Sequence, residues 1–192
     1  MSALPSPSAA YSVHPTPIGE ALVVVTDAGL AVLEILEDHA GAAEGALERA
    51  ALALRTAPEP DADATASVRT QLDEYFAGIR RRFEVPLDLR VGGFVRAALD
   101  AVCEIPYGEV ASYAEVAIAA GSPGANRAVG TACARTPISI IVPAHRVVRS
   151  DGSIGDYGGH PERKRHLLDL EARVTEASSS PGAPATQTSR AV

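Results

Sequence analysis

The sequence predicts an α+β protein in two parts, a small α/β domain over residues 11–91 and a helical domain over residues 92–172. The first part opens with two apolar, β-branched runs at residues 21–26 and 30–36, as expected for paired strands. From Gly92 onward the pattern changes to short helical segments separated by tight turns that contain glycine and proline. This change of pattern marks the boundary between the two predicted domains.

The N-terminal domain is predicted to begin with a hairpin, because Asp27-Ala-Gly29 supplies a turn between the two apolar runs. Residues 42–54 are rich in Ala, Leu and Glu, which favours a helix. Residues 67–76 predict a second, amphipathic helix with Ser67 as its N-terminal cap. Residues 83–89 contain a proline and predict a short strand at the edge of the sheet.

The C-terminal domain is predicted to contain four helices, at residues 94–103, 113–120, 125–134 and 162–170. Ser112 and Glu115 have the spacing of a capping box at the start of the second helix. A four-residue turn at 121–124 then leads to the third helix, a pattern typical of a helix-turn-helix. Residues 137–143 predict a short extended run.

Composition excludes several classes of protein. No run of about 18 apolar residues is present, so a membrane-spanning helix is not expected. Residues 1–10 lack the basic start and apolar core of a secretory signal, and they and residues 173–192 have compositions that predict disorder. The chain has two cysteines, which argues against a disulfide framework and favours the cytoplasm.

The net charge of −7 does not favour a nucleic-acid partner at first sight. Residues 1–91, however, account for this charge, with seven Arg against fourteen Asp and Glu. Residues 92–172 have eight Lys and Arg against nine acidic residues and are close to neutral. A locally basic contact face in the second domain is therefore compatible with the composition.

Five motifs occur in the second domain in one order: Ile105-Pro-Tyr-Gly-Glu-Val-Ala-Ser-Tyr113, Arg127-Ala-Val-Gly130, Ile141-Val-Pro-Ala-His-Arg-Val-Val148, Tyr157-Gly-Gly159 and Leu167-Leu-Asp-Leu-Glu171. With them the chain resembles the O6-alkylguanine-DNA alkyltransferase family, the methylated-DNA–protein-cysteine methyltransferases. Weaker matches occur at Thr16-Pro-Ile-Gly19 and Tyr75-Phe-Ala-Gly78. The resemblance implies a ribonuclease-H-like α/β domain followed by a helical domain with a (winged) helix-turn-helix.

The resemblance also implies a reaction that this chain lacks the residue to perform. In the family, a cysteine between Pro and His takes the alkyl group from guanine O6, which requires a thiolate. The matching position here is Ala144, whose methyl side chain cannot act as a nucleophile. Cys103 and Cys133 are interpreted as small apolar helix residues rather than substitute acceptors.

His145 and Glu171 match the family's general base and the carboxylate that orients it. Without a thiol to deprotonate, two interpretations stay open. The two side chains form a buried, hydrogen-bonded pair that holds the pocket, or they contact a bound base directly.

A damaged base must be rotated out of the duplex before a pocket can hold it. By resemblance, Arg127 would replace the flipped base in the stack, and Tyr113 would crowd the 3′ phosphate and donate to the base. The alternatives are that Arg127 is a solvated helix residue and that Tyr113 is an aromatic residue of the core.

The predicted DNA-contacting residues are Tyr113, Arg127, Ala128, Gly130, Thr131 and Arg135. The predicted base pocket, which acts mostly through backbone groups, comprises Tyr113, Ala144, Val147, Tyr157, Gly158 and Gly159.

Three further features qualify the resemblance. Thr136 stands where the family has an Asn that ties the turn before the extended run, and Ser139 stands where Pro is common. The first domain offers only His14 and His39 and no cysteine as metal ligands. No metal and no cofactor are therefore expected.

Three functional hypotheses follow. The first is a non-enzymatic sensor that binds O6-alkylguanine in double-stranded DNA as a monomer and passes the lesion to nucleotide excision repair proteins. The second is a methyltransferase that carries an engineered Cys-to-Ala change. The third is a transcription regulator that retains only the helix-turn-helix and binds undamaged DNA in a sequence-specific way.

Overall fold

The computed structural model of the protein describes residues 8–179. Its N-terminal part is a four-stranded sheet of β1 (Ala9–Thr16), β2 (Gly19–Thr26), β3 (Gly29–Ile35) and β4 (Glu59–Pro60), in the order β3-β2-β1-β4. β2 pairs antiparallel with both β1 and β3, and β4 pairs parallel with β1. The predicted hairpin is thus confirmed as β2 and β3. Two helices, α1 (Ala42–Leu54) and α2 (Ala66–Phe76), complete this part.

Three local predictions for the N-terminal part were wrong. β1 includes Ala9 and Ala10, which were expected to be disordered, because its backbone pairs with β2 along its whole length. Residues 83–89 form only one bridge to β3, at Leu87, since Pro86 has no N–H to donate. Thr65 is the residue that precedes α2, whereas the Ser67 hydroxyl lies inside its first turn and accepts a hydrogen bond from Gln71.

The C-terminal part contains α3 (Gly93–Cys103), β5 (Ala111–Ser112), α4 (Tyr113–Ala119), α5 (Asn126–Ala134), a 3₁₀ turn (Ala144–Arg146), β6 (Val147–Val148) and α6 (Pro161–Ser179). β5 and β6 pair parallel. The predicted capping box of α4 is confirmed: the Ser112 N–H donates to Glu115 Oε2 over 2.7 Å, and the Glu115 N–H donates to Ser112 Oγ over 3.2 Å.

Two predictions for the C-terminal part were also wrong. Residues 137–143 are a series of turns rather than an extended run, with Ile140 in the left-handed region (φ 68°) and a single bridge from Ile138 to Leu33 of β3. α6 extends through residues 173–179, which were expected to be disordered, because this stretch packs on the N-terminal part: Arg81 donates to the Val174 carbonyl and to Ser178. The rest of the predicted tail, and residues 1–7, lie outside the described residues.

One hydrophobic core joins the two parts. It combines residues of the sheet, α2, α3, the 137–143 turns and α6, among them Leu33, Leu72, Leu99, Val142 and Leu167. A second cluster, on the other face of the sheet, holds α1. Within residues 8–179, no helix combines the length and the apolar character that crossing a membrane requires. The shared core fixes the 137–143 turns and the 3₁₀ turn against the sheet, where the candidate site lies.

Candidate functional site

A cavity of about 1070 Å³ lies between α5, the loop that precedes α6, and the β3 and α1 side of the sheet. Four of the six predicted base-pocket residues line it, namely Tyr113, Ala144, Tyr157 and Gly158. The other two, Val147 and Gly159, do not line it. Val147 is fully buried, and its carbonyl accepts a hydrogen bond from Lys164 Nζ over 2.5 Å. Most of the predicted pocket therefore surrounds one cavity.

Tyr113 is held between two glycines. A Cβ atom at Gly155 would come within 2.6 Å of the Tyr113 hydroxyl, so a larger residue there would displace the ring. Gly130 on α5 lies on the other side, where a Cβ would be 3.7 Å from Tyr113 Cε1. The Tyr113 ring is half-buried and borders the cavity, and burial is the main cause that raises its pKa.

α5 turns its polar side toward solvent and the cavity. Val129 and Ala132 are buried in the core, while the predicted DNA-contacting residues Arg127, Ala128, Thr131 and Arg135 are exposed. All of these exposed residues except Ala128 also line the cavity. Among the ion pairs of residues 8–179, none involves the guanidinium of Arg127 or Arg135. α5 itself contains no acidic residue, so this face is locally basic although the chain is acidic.

Glu171 on α6 is the centre of a buried polar network beside Ala144. Its carboxylate accepts hydrogen bonds from His145 Nε2 (2.9 Å), from the Tyr75 hydroxyl (2.7 Å) and from the Gly108 backbone N–H (3.0 Å). Arg146 adds three more, from Nη2 at 2.9 Å and from Nε at 3.0 Å and 3.3 Å. Glu171 is 1% exposed and His145 is fully buried. The network joins α2, the 106–108 turn, the 3₁₀ turn and α6.

The protonation states in this network follow from its contacts. Burial would raise the pKa of the Glu171 carboxyl, but hydrogen bonds from His145 and Arg146 outweigh it and bring the pKa to about 2. Burial lowers the pKa of His145, and its bond to Glu171 opposes this only in part. A neutral His145 beside an ionised carboxylate carries its proton on Nε2. Nδ1 is then a buried acceptor, and it has no hydrogen-bond partner within residues 8–179.

Ala144 begins the 3₁₀ turn and lines the cavity, although it is only 4% exposed. Its backbone is fixed locally, because its N–H donates to the Val142 carbonyl over 2.8 Å and because the 3₁₀ turn begins at this residue. The Tyr157 ring packs edge-on against His145, with 6.5 Å between the ring centroids. Position 144 therefore places its side chain at a cavity wall, next to a buried imidazole.

The two cysteines differ in position. Cys103 ends α3, is exposed and does not line the cavity. Cys133, which we interpreted as an ordinary helix residue, does line the cavity, together with Ala144 and Tyr113. Burial raises the pKa of the Cys133 thiol to about 11, with a smaller opposing effect from Lys164. At neutral pH this thiol is protonated and is a poor nucleophile.

Sequence reasoning missed several residues of this site. Tyr75 and Arg146 lie within quoted motifs but received no role, and the network that they complete depends on tertiary contacts. Lys164 is the only lysine of the chain, a signal that could have drawn attention to it.

At Thr136, the hydroxyl accepts only a long hydrogen bond, 3.5 Å from the Ile138 N–H. No group of three or more potential metal ligands occurs within residues 8–179.

The two parts of this fold, a small sheet with two helices and a helical part, match family models for a ribonuclease-like domain followed by a DNA-binding domain. Residues 9–89 match the family model for the ribonuclease-like domain of 6-O-methylguanine DNA methyltransferase, and residues 93–173 match the model for its DNA binding domain. The chain belongs to the 6-O-methylguanine DNA methyltransferase family. The predicted α+β fold class with these two domains is thereby confirmed.

Individual relatives support this assignment. The methylated-DNA–protein-cysteine methyltransferase of Mycobacterium tuberculosis is 49% identical over 117 residues, which cover 61% of this chain and 71% of the relative. The inducible enzyme of Bacillus subtilis is 39% identical over 121 residues, 63% of this chain and 68% of the relative. The crystal structure of the M. tuberculosis O6-methylguanine methyltransferase matches with a TM-score of 0.75 at 39% identity, over 91% of this chain and 96% of that one. M. tuberculosis OGT in complex with DNA matches with a TM-score of 0.74 at 40% identity, over 85% and 93% of the two chains.

Proposed function

We propose that the protein binds O6-alkylated guanine in duplex DNA and leaves the alkyl group in place, as a lesion sensor in DNA repair. The observation that carries this proposal is Ala144. By the resemblance of the Pro143-Ala-His145 sequence to the family motif, this position is that of the acceptor cysteine, and it lines a cavity beside a buried His145–Glu171 pair. A methyl group has no lone pair and cannot displace guanine from an alkyl carbon.

The binding scaffold does not depend on a side chain at position 144. Glu171 holds His145 and Arg146 through their own side chains, and Lys164 holds the Val147 carbonyl. The resemblance assigns base contacts to the backbone carbonyls of residues 144 and 147. Residue 144 lines the cavity, whereas Val147 does not, and its carbonyl already accepts a hydrogen bond from Lys164. These contacts need a fixed backbone, which the network supplies without a thiol.

DNA would dock on the exposed face of α5, used as the second helix of a helix-turn-helix. Small residues such as Ala128 and Gly130 allow a helix to approach a narrow minor groove closely. Arg127 and Arg135 carry charges that no carboxylate neutralises within residues 8–179, so they are free to contact phosphates. Arg127 also borders the cavity, a position suited to filling the gap that a flipped guanine leaves.

Retained adducts require another system to remove them, and we propose that nucleotide excision repair proteins take over the complex.

The two free cysteines are compatible with a reducing cell interior, and we expect a cytoplasmic protein that binds as a monomer. The predicted residue roles and the predicted domain boundary at residue 91 are part of the same proposal.

The test compares matched duplexes that carry guanine or O6-methylguanine at one position, followed by an assay of the DNA for loss of the methyl group. We expect tighter binding of the lesion duplex with the methyl group intact after prolonged incubation. Loss of the methyl group would contradict the sensor function, and the Cys133→Ala variant would then show whether that thiol accepted it. Equal affinity for the two duplexes would contradict lesion recognition. Sequence-specific binding to undamaged DNA would support a regulator instead.

A second hypothesis, an engineered Cys-to-Ala change, concerns the origin of Ala144 rather than its behaviour. The codon for residue 144 in the source genome decides it. An alanine codon there supports a natural sensor, and a cysteine codon supports a methyltransferase that has lost its acceptor.

A further inference from the structure

Residues 156–160, which we call the base loop, lead into α6. They include three of the predicted base-pocket residues, Tyr157, Gly158 and Gly159. The Asp156 carboxylate accepts hydrogen bonds from the backbone N–H groups of Tyr157 (2.9 Å) and Gly159 (3.0 Å). The His160 N–H donates to the Tyr157 carbonyl over 3.0 Å. Because these bonds tie His160 to Tyr157, a contact that holds His160 also holds the part of the loop that borders the cavity.

The His160 side chain lies between two carboxylates, one at each ring nitrogen. Nε2 is 2.7 Å from Glu37 Oε2, which lies just after β3, and Nδ1 is 2.8 Å from Glu162 Oε1, in the first turn of α6. A neutral imidazole has one N–H and one lone pair, so it can donate to only one of these carboxylates. Its other nitrogen would then face a second acceptor, which is repulsive. Only the imidazolium form satisfies both contacts.

The charges around His160 favour the imidazolium form. Hydrogen bonds to Glu162 and to Glu37 raise the pKa of His160 above its ordinary value of 6.5, while burial and the Arg163 guanidinium oppose this rise. Glu37 comes from the segment after β3, and Glu162 and Arg163 come from α6. Because the pKa is raised, both contacts are complete below about pH 6.5, and one of them is lost as the pH rises through the raised value.

Glu37 gives the base loop a support on the N-terminal part. The preceding residue, Leu36, is buried in the second hydrophobic cluster, and its N–H donates to the Glu20 carbonyl over 2.7 Å. Arg163 also reaches this segment, from Nη2 to the Leu36 carbonyl at 2.9 Å, but it holds α6 rather than the loop. Among the hydrogen bonds and ion pairs of residues 8–179, the contact of His160 with Glu37 is the one that joins the base loop to the N-terminal part.

We propose that His160 is a positioning residue of the lesion site: in its protonated form it clamps the base loop between Glu37 and Glu162, so that affinity for the lesion falls as the solution becomes alkaline. This proposal rests on the proposed function and adds its regulation by pH. His160 does not line the cavity and therefore acts through Tyr157 and Gly158, which do. A loop that is in place for only a fraction of the time lowers the affinity by that fraction. For one solvent-exposed ionic contact we expect a change of about threefold.

The experiment measures binding of the full chain to matched duplexes with guanine or O6-methylguanine, at about pH 6 and about pH 8.5 and at constant ionic strength. We expect the wild-type protein to bind the lesion about threefold more weakly at the higher pH, and to bind the undamaged duplex equally at both. His160→Gln is neutral at both pH values and should bind the lesion at both as the wild type does at the higher pH. The matched control, His39→Gln, changes an exposed histidine outside the cavity lining and should keep the wild-type pH dependence.

Glu37→Gln separates positioning from a direct contact of His160 with DNA. An imidazolium that contacted a phosphate would keep the pH dependence in this variant and would show it with both duplexes. A histidine that acts through the base loop needs the Glu37 carboxylate, so the variant should lose the pH dependence of lesion binding.

Reciprocity gives a second measurement on the wild-type protein. If protonation of His160 strengthens lesion binding about threefold, the lesion duplex must raise the proton affinity of His160 by the same factor. Nuclear magnetic resonance titration of the His160 imidazole in the free and the bound protein measures this factor. An unchanged proton affinity would contradict the positioning role.

The outcomes separate this proposal from the proposed function. A preference for O6-methylguanine over guanine that is the same at both pH values would overturn the role of His160 alone. Lesion binding by His160→Gln that still depends on pH as in the wild type would also overturn it. No preference for the lesion at either pH would overturn both proposals.

Discussion

Ala144 and Glu171 lie on either side of the same buried histidine, but they are connected to the rest of the molecule in different ways. The Ala144 side chain makes no polar contact and faces a cavity. The Glu171 carboxylate receives hydrogen bonds from four other residues, which lie on α2, the 106–108 turn and the 3₁₀ turn. The chemistry that the family resemblance places at position 144 can therefore be lost without disturbing the scaffold. Loss of Glu171 would disturb the scaffold itself.

The largest expected effect comes from restoring a thiol with Ala144→Cys. His145 Nδ1 is an unpartnered buried acceptor next to this position, and the cavity offers room for a sulfur atom. We expect the variant to acquire single-turnover methyl transfer from O6-methylguanine DNA, measured as radiolabelled methyl groups on the protein. The control is Ala144→Ser, whose weaker nucleophile should leave the methyl group on the DNA. A thiol variant that binds the lesion but transfers nothing would show that His145 cannot act as its base.

The next largest effect is expected for Glu171→Gln. The substitution leaves Arg146 buried without a carboxylate, and loss of one partner of a buried ion pair costs about 3–5 kcal/mol. Urea unfolding followed by circular dichroism would measure this change in the free energy of unfolding. Asp100→Asn breaks a solvent-exposed pair with Arg96 and should cost less than about 1 kcal/mol. Similar losses in the two variants would refute the central role of Glu171.

Acidification tests the same network without a mutation. The folded pKa of Glu171, about 2, lies below its ordinary value, so its contribution to stability is complete above about pH 4.5 and is lost as the pH falls toward 2. The difference corresponds to roughly 3 kcal/mol. His145, whose pKa is also lowered, adds a loss that begins below about pH 6.5, because the unfolded imidazole takes up a proton that the buried one does not.

The measurement is the free energy of unfolding at pH values from 7 to 3, with His145→Gln as the comparison. The variant should lose the part of the decline that begins below about pH 6.5 and keep the part that Glu171 contributes below about pH 4.5. A wild-type protein that becomes more stable on acidification over this range would show that the two groups are not buried as described.

The smallest effect is expected for Tyr75→Phe, which removes one hydroxyl from the network. The hydroxyl donates to Glu171 over 2.7 Å, and removal of a bond to a charged group costs about 1.5–3 kcal/mol. Tyr11→Phe, at a half-exposed position on β1, is the matched control with an expected change below about 0.5 kcal/mol. Because Tyr75 comes from the N-terminal part, a clear loss would show that this part stabilises the site. An unchanged melting temperature would argue against that link.

Element prediction succeeded where a local rule decides the structure. A composition that favours helix located α1, and capping located α4, since the Ser112–Glu115 box needs only residues three apart in sequence. It failed where distant pairing decides: β1 becomes a strand through its pairing with β2, and residues 137–143 fold into turns on the edge of β3. The extension of α6 beyond residue 172 depends on contacts with Arg81 and Gly78, which no local pattern contains.

The sequence by itself determined the family resemblance, the α+β class, and the alanine at position 144, because motifs and side-chain identity are properties of the chain. It also indicated that His145 and Glu171 belong together. Only the tertiary structure decided that Tyr75, Arg146 and Gly108 complete that pair, that Cys133 faces the cavity, and that the cavity reaches α1. These facts depend on distances between elements that are far apart in the chain, and such distances are set by the packing of a shared hydrophobic core.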